Sequence, residues 1–543
     1  MPSLETVIYY SFAAGVVVMC FVALFLGLQV LTLGTQQHQD EKRSLVRAAT
    51  KPDTSTHEAY YVGFFHPFPG AGGGGERVLW TMIKAIQDKY PFIVSVIYAG
   101  DKTDCLELTQ NVRGKFGLEI NPQTIYVVEL NRRWWVEHKF PRLTLLMQSI
   151  GSVWLAMEAI NGLRPDVFVD TVGYAFTYPL VRAISERIPV VSYTHYPTIS
   201  SDMRTLVASR EAGINNDDAV ANSAILTTLK NLYYAVFAAA YAWAGSCAHT
   251  VMTNSSWTHN HIVKLFGRPS MTRVVYPPCD TAELATLQLL PRQPIAMSLA
   301  QFRPEKNHAM QIDAFATLLR MHPELAAPQG WKPPTPDAIL DNVAPIEYPM
   351  LVMLGGARNI DDEARAEQLR QLAKRLGIDR QVHVVINAPW TQVRQWLRIS
   401  AVGLHTMRDE HFGIGVVEMM AAGLLTVAHD SAGPKMDIVT PAVRCANGEP
   451  DAPSETDAKQ SLDENSAFPV GMVAESAEEF AAMLWLALRT DRPMLHAAMQ
   501  RKARLAAETR FSETAFFQAF YRRFDPVVRW LDNQRSDSDD SFE

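Results

Sequence analysis

HPFPGAGGGGERVLW, residues 66–80, sets four consecutive glycines directly ahead of a helix-like run. Glycine is the costliest residue to order, so four in a row within a folded domain call for a reason. One reason is a flexible loop. The other is close approach of the backbone to a ligand, with the N–H groups of a helix N-terminus offered to an anion. The flanks inform the choice. YYVGFFHP, residues 60–67, reads as a buried strand. ERVLWTMIKAIQDKY, residues 76–90, carries Val78, Leu79, Met82, Ile83 and Ile86 at a helical period. Strand, Gly-rich turn and helix is the layout that binds phosphates at the end of a parallel sheet. No Gly-Lys-Ser/Thr follows, which excludes a P-loop, and no GxGxxG with a spaced acid is present.

Outward from this unit, apolar strand-like runs alternate with helical patterns: FIVSVIYAG, DVFVDT, IPVVSYTH and AHTVMTNS. After VVYPPCD, residues 274–280, the alternation restarts with IAMSLAQF, YPMLVMLGG, QVHVVIN, VGLHTM and LLTVAHD. Such alternation argues for parallel α/β sheets, here two of similar size. The chain of 543 residues has room for both domains, and its 48% hydrophobic and 20% charged residues are those of a globular protein. A net charge of −7 argues against general nucleic-acid binding. Five cysteines without a CxxC pair suit a reducing compartment and no zinc site.

VIYYSFAAGVVVMCFVALFLGLQVLTL, residues 7–33, contains no charge. It exceeds the roughly 20 apolar residues needed to cross a bilayer. A cleaved signal peptide would have a basic start and a shorter apolar core, whereas the one charge ahead of this run is Glu5. The expectation is a permanent transmembrane helix over residues 1–34. Lys42, Arg43 and Arg47 follow it and no Lys or Arg precedes it, which places the remainder on the cytosolic side. Residues 35–58 then read as a polar juxtamembrane linker, 59–285 as the first Rossmann-like domain and 286–511 as the second. A C-terminal helix is expected over 512–532 and an acidic tail over 533–543. Residues 326–348, rich in proline, and 446–469, acidic, read as surface insertions. The aromatic helix over residues 231–247 has two readings. It is either core, or a face lying on a membrane with Tyr234, Phe237, Tyr241, Arg132, Arg133, Trp134 and Trp135 at headgroup level.

Four stretches carry candidate chemistry. In SLAQFRPEKNH, Arg303 and Lys306 sit in a strand-to-helix loop. They are either solvated surface or a clamp for a diphosphate. In EHFGIGVVEMMAAG, Glu410 and Glu418 are eight apart across a turn with Gly413, Ile414 and Gly415. Glu418 reads as a first-turn carboxylate, favoured there by the helix dipole. The pair is either a capping arrangement or a set of acceptors for sugar hydroxyls. His195, in SYTHYPTISSDM, ends a strand of the first domain. LGGARNIDDE, residues 354–363, is a further strand and Gly-turn.

Taken together, the loop with Gly73, Gly74 and Gly75, His195, the Arg303/Lys306 pair and the E-x7-E element Glu410/Glu418 resemble the GT-B glycosyltransferases. Within them the match is to the retaining family that includes sucrose synthases and bacterial phosphatidylinositol mannosyltransferases. On HPFPGAGGGGERVLW, SYTHYPTISSDM, VMTNSSWTHNHI, VVYPPCD and GLHTMRDEHFGIGVVEMMAAG, the chain is similar to the endoplasmic-reticulum mannosyltransferases of asparagine-linked glycosylation. Arg408-Asp409 departs from an expected Trp-Asn, and Ala432 from a glycine in a Gly-Gly-Pro-Lys turn.

The resemblance implies a GT-B fold, two facing Rossmann-like domains with a cleft between them. The first would be the acceptor and membrane side, the second the nucleotide-sugar side. It implies α-1,2 transfer of mannose, with retention, from GDP-mannose to dolichol-diphosphate-linked Man3GlcNAc2 and then Man4GlcNAc2. The setting would be the cytosolic face of the endoplasmic-reticulum membrane, with other mannosyltransferases of the pathway as partners. Arg303 and Lys306 would neutralise the leaving diphosphate, with backbone N–H groups of residues 73–75 and 413–415 beside the donor. Glu418 would hold ribose hydroxyls, Glu410 would face the mannose, and His195 would contact the transferred sugar. No DxD element stands at a strand end, so no essential metal or other cofactor is expected. Two alternatives stay open: a lipid-linked glycosyltransferase with another nucleotide-sugar, and a non-catalytic membrane scaffold.

Overall fold

Strands β1 (Tyr60–Phe65) and β2 (Ile93–Ala99) are buried along their whole length. Continuous apolar strands of this kind belong inside parallel sheets covered by helices on both faces. The computed structural model describes residues 36–539 apart from 56, 103, 138–139, 141–142, 200–223, 290–291, 341–345 and 462–466. The apolar segment 7–33 lies outside the described residues. Among those described, no helix is long and apolar enough to cross a membrane.

Five further strands, β3 (Ile125–Glu129), β4 (Val167–Asp170), β5 (Val190–Thr194), β6 (Thr250–Thr253) and β7 (Thr272–Val274), complete the first sheet, in the order β3-β2-β1-β4-β5-β6-β7. The second sheet uses β8 (Gln293–Leu299), β9 (Met350–Gly355), β10 (Val382–Ile386), β11 (Ser400–His405), β12 (Leu425–His429) and β13 (Ala442–Val443). Strands β14 (Cys445–Ala446) and β15 (Glu449–Pro450) form a separate hairpin, and β16 (Gly471–Ala474) returns to the sheet, whose order is β10-β9-β8-β11-β12-β16-β13. Both large sheets are parallel throughout. The chain divides into two units. The first comprises the described residues of Met1–Asn254, Thr258–Val275 and Phe517–Glu543, the second Ser255–Trp257 and Tyr276–Phe516. The change of unit therefore comes at residue 276, ahead of the expected boundary between 285 and 286.

The helices that matter here are α1 (Gln36–Ala49), α2 (Gly74–Lys89), α3 (Thr144–Gly162), α4 (Ala224–Gly245), α5 (Ile414–Ala422) and α6 (Glu513–Asp539). Helix α1 replaces most of the expected linker. Its inward positions recur at helical spacing. The Gln39 amide donates to the Ile160 carbonyl and accepts from the Arg164 N–H at 2.8 Å. Arg43 pairs with Asp166 at 2.6 Å, and Val46 is buried in the core of the first unit. With one apolar inward residue, its polar composition concealed a docked helix. Helix α6 likewise runs through part of the expected acidic tail. Tyr60 donates to Asp532 at 2.8 Å, Lys89 pairs with Asp525 at 2.7 Å, and the Tyr521 hydroxyl reaches the Ala85 carbonyl. Both expected insertions contribute core residues: Ile339 and Leu340 in one, Ala458 and Phe468 in the other.

The expected membrane face of α4 is corrected. Tyr234, Phe237 and Tyr241 are 6%, 4% and 1% exposed, whereas Leu232, Val236 and Trp243 are 60%, 58% and 59% exposed. Phe237 lies 5.4 Å from Phe176 and Tyr241 lies 5.3 Å from Phe266, ring centre to ring centre. An apolar helix with no polar face gives no direction in sequence; here Tyr234, Phe237 and Tyr241 take the inward side and Trp243 the outward one. Arg133 is corrected too. Its guanidinium pairs with Asp101 and Glu137, so its charge is met within the protein. Trp135 packs against Gly151, while Arg132 and Trp134 are exposed.

Phe237→Ser should therefore destabilise the protein by about 3–5 kcal/mol in denaturant unfolding, the range for emptying a buried aromatic site. Val236→Ser, one residue away on the outer side, should stay within about 0.5 kcal/mol of the parent.

Candidate active site

Each sheet reverses its winding in its middle, between β1 and β4 in the first and between β8 and β11 in the second, and the second turns back once more at its β16/β13 edge. Loops leaving the carboxyl ends of such a strand pair turn to opposite faces and open a crevice where ligands bind. The candidate residues gather at these two places, one in each unit.

In the first unit, His66 follows β1 and Thr171 follows β4. The His66 Nδ1 lies 2.7 Å from Thr171 Oγ1, which ties the two strand ends together. His66 Nε2 lies 3.4 Å from Glu76 Oε1, and Glu76 Oε2 accepts the Gly73 N–H at 2.6 Å. Burial works to raise the Glu76 pKa, but the contacts from His66 and the Gly73 N–H outweigh it and leave it lowered, so the carboxylate is ionised. Gly72, with φ of +85°, makes the turn that only glycine enters without strain. Gly74 and Gly75 open α2, where N–H groups have no acceptor within the helix. A side chain at Gly75 would begin 3.5 Å from His195 Nε2, so His195 and the glycine loop share one site.

This changes the reading of the loop. The Gly73 N–H is committed to Glu76, and a carboxylate fixed at the helix start disfavours a second anion there. Local charge favours a hydroxyl-bearing ligand over a diphosphate at Gly73. His66, Thr171 and Glu76 were missed in the sequence. The one available signal was Glu76 itself, three residues after Gly73, the spacing of a reciprocal helix cap.

In the second unit, Lys306 closes the loop after β8, and its ammonium pairs with Glu410 Oε2. His405, the last residue of β11, places Nε2 at 3.2 Å from the same oxygen. Burial raises the Glu410 pKa, but the His405 hydrogen bond and the Lys306 charge overcome it and hold the carboxyl well below its ordinary range. Beneath them His308 is pushed down to about 4, by burial first and then by the His405 and Lys306 charges. Thr406 fixes the loop from below: its hydroxyl lies 3.1 Å from the Lys306 carbonyl and 2.9 Å from that of Asn307. The Gly433 N–H donates to the Glu410 carbonyl at 2.9 Å, which pins the backbone on the other side. Ala432, where the resemblance leads one to expect glycine, has a φ of +44°.

Arg303 ends 3.7 Å from Glu305, on the same loop as Lys306. Gly413 caps α5 with φ of +109°, and the helix begins at Ile414. Glu418 therefore stands in the second turn, not the first, and the dipole argument for it weakens. Gly415 has an internal reason to be glycine. A Cβ there would meet the Leu299 carbonyl at 2.8 Å, so its bareness lets α5 pack on the end of β8. Among the described residues, no group of three or more His, Cys, Asp and Glu side chains is placed to hold a metal ion.

Residues 59–266 match the family described as ALG11 mannosyltransferase N-terminus, and residues 337–460 match Glycosyl transferases group 1. The GDP-Man:Man(3)GlcNAc(2)-PP-Dol alpha-1,2-mannosyltransferase of Homo sapiens is 37% identical over 515 residues, covering 93% of this chain and 92% of that protein. The chain belongs to this mannosyltransferase family. The Dictyostelium discoideum protein of the same name is 38% identical over 490 residues, with 88% and 87% covered. Sucrose-phosphate synthase from Thermosynechococcus elongatus has a similar structure, with a TM-score of 0.56 at 13% identity, over 87% of this chain and 99% of that one. The mannosyltransferase thus resembles the GT-B glycosyltransferases in fold, with two Rossmann-like units on parallel sheets.

The depressed Glu410 pKa fixes the sign of a stability effect. Its folded value lies below the ordinary 4.5, so ionised Glu410 contributes stability fully above that value, lost as pH falls through the folded one. The stability gap between the parent and Glu410→Gln should be widest near neutral pH and narrow steadily on acidification below about pH 4.5, followed by urea unfolding at a series of pH values.

Proposed function

We propose that this chain transfers mannose in α-1,2 linkage from GDP-mannose to dolichol-diphosphate-linked Man3GlcNAc2, and then to the Man4GlcNAc2 product. Membership of the mannosyltransferase family supports the reaction, and the Lys306–Glu410 pair at the β8/β11 reversal is the observation that carries its chemistry. The leaving group is a nucleoside diphosphate. Negative charge grows on it as the glycosidic bond breaks, and Lys306 with Arg303, on one loop, are the cations that would meet it. Glu410 would hold a hydroxyl of the mannose, Glu418 the ribose hydroxyls, and the loop of Gly74 and Gly75 with His195 would meet sugar hydroxyls. An α donor giving an α product is retention. A front-face displacement fits, with the departing phosphate oxygen taking the proton of the acceptor hydroxyl. The cationic loop supplies the charge that a metal would otherwise supply, so turnover should survive EDTA.

The setting we propose is the endoplasmic-reticulum membrane, with both units on the cytosolic side. The uncharged segment 7–33 supports it, as does the outer face of the first unit. On α4, Leu232, Val236 and Trp243 project outward, and Trp154 does so on α3. The two helices both pack against the turn at Ala175–Thr177, α4 through Phe237 on Phe176. Helix α1, which follows the apolar segment in sequence, is fastened to α3 at Ile160 and to Arg164 just beyond it. A lipid-linked acceptor requires the enzyme to work at a bilayer surface, and this face would provide apolar anchors for it.

Incubation with lipid-linked Man3GlcNAc2 and either GDP-mannose or UDP-sugars, followed by mass analysis of the glycan, tests the reaction. Growth by two hexoses with GDP-mannose alone is the expected result. Lys306→Ala and Arg303→Ala should each lower kcat about a hundredfold, the usual effect of removing one donor from a developing anion. Wild-type turnover in both, with folding verified, overturns the clamp. Replacing Leu232, Val236 and Trp243 together by Ser should weaken binding to liposomes and use of the full-length lipid acceptor, with the melting temperature and activity on a short-chain acceptor retained.

A further inference from the structure

Lys306 and His405 approach one oxygen of Glu410 from two different elements, the loop after β8 and the end of β11. Because Glu410 is ionised, its oxygens can only accept, so His405 Nε2 is the donor of that 3.2 Å contact. The two donors differ in freedom. Lys306 is a flexible side chain on a short loop. His405 is a buried ring on a central strand, and the neighbouring Thr406 is tied to the Lys306 and Asn307 carbonyls and to the Gln311 amide.

Resting on the function proposed above, this arrangement has a consequence for the catalytic cycle. Once the donor diphosphate arrives, the Lys306 ammonium is drawn towards its oxygens. Glu410, held in a largely buried position, would then lose one of the two side chains on Oε2 just when its orientation towards the sugar matters. A buried carboxylate stripped of its donors either takes up a proton or turns away. We infer that His405 is a positioning residue: it keeps the Glu410 carboxylate charged and oriented through Oε2 while Lys306 turns to the diphosphate, leaving Oε1 for a hydroxyl of the transferred sugar. No bond to His405 forms or breaks in the reaction, and its effect reaches the substrate through Glu410.

The test is a set of His405 variants of the full-length enzyme in detergent or vesicles, assayed with GDP-mannose and lipid-linked acceptor. His405→Ala should lower kcat about tenfold to a hundredfold, the effect of leaving a buried charged group short of one hydrogen bond. The KM for GDP-mannose should change by less than about threefold, because the diphosphate clamp is intact. His405→Gln, whose amide N–H can occupy the place of Nε2, should recover most of the lost kcat. In a Glu410→Ala background, measured in single turnover, His405→Ala should have little further effect.

The inference is overturned if folded His405→Ala turns over like the parent. It also fails if the Gln variant is no better than the Ala variant at equal melting temperature, or if His405→Ala costs as much without Glu410 as with it. Failure of the functional reading looks different: there Glu410→Ala and Lys306→Ala would themselves retain full activity.

Discussion

A parallel sheet that winds outward in both directions from its middle must leave one pair of adjacent strands whose loops part company. That single topological constraint determines where chemistry can sit in each unit of this protein. Between β1 and β4 it places His66 beside Thr171, and between β8 and β11 it places Lys306 beside His405 and Glu410. At the reversal, strand ends stay open, and polar groups there must satisfy each other across the gap. The two clusters solve this in a similar way: a histidine at or just after a strand end meets a carboxylate near a helix start, Glu76 in the first turn of α2 and Glu410 in the turn before α5.

The second cluster shows an arrangement that stability alone would not require. A buried ion pair rarely improves on well-packed apolar side chains, because both charges lose their water. Lys306 and Glu410 are held by Thr406, Gly433 and His405, contacts that fix geometry at the expense of a simpler core. The first cluster illustrates the converse. There Glu76 takes the Gly73 amide, so the charge that a bare helix N-terminus would show to a ligand is partly cancelled before any ligand arrives.

Much of this was legible in the amino-acid order, and the gaps have identifiable causes. The glycine run, the helical period after it and the restart of the strand pattern near residue 293 are local signals, and they located both sheets. Lys306 and Glu410 were legible because loops after apolar strands are recognisable one at a time. His405, Thr171 and His66 were not. Each acquires its role from a residue on another strand, and nothing in its own neighbourhood marks it. The aromatic helix α4 failed differently. Its sequence is apolar on every side, so it said that the helix is largely buried without saying which side. Helix α1 was missed for the opposite reason: Val46 is its one core residue, and its hold comes from Gln39 and Arg43.

Helix α6 makes the first unit discontinuous. Tyr60 and Asp532, joined by a hydrogen bond, are 472 positions apart, and Tyr521 meets the Ala85 carbonyl across 436. During synthesis β1 and α2 emerge long before the residues that cap them. At ordinary translation rates the delay is on the order of a minute. Throughout that interval the surface of Tyr60 and Tyr90 that α6 will cover lies open. The nascent first unit is therefore a client for whatever shields exposed aromatic surface until the chain is nearly finished, and ribosome pausing within the second unit prolongs that exposure in direct proportion.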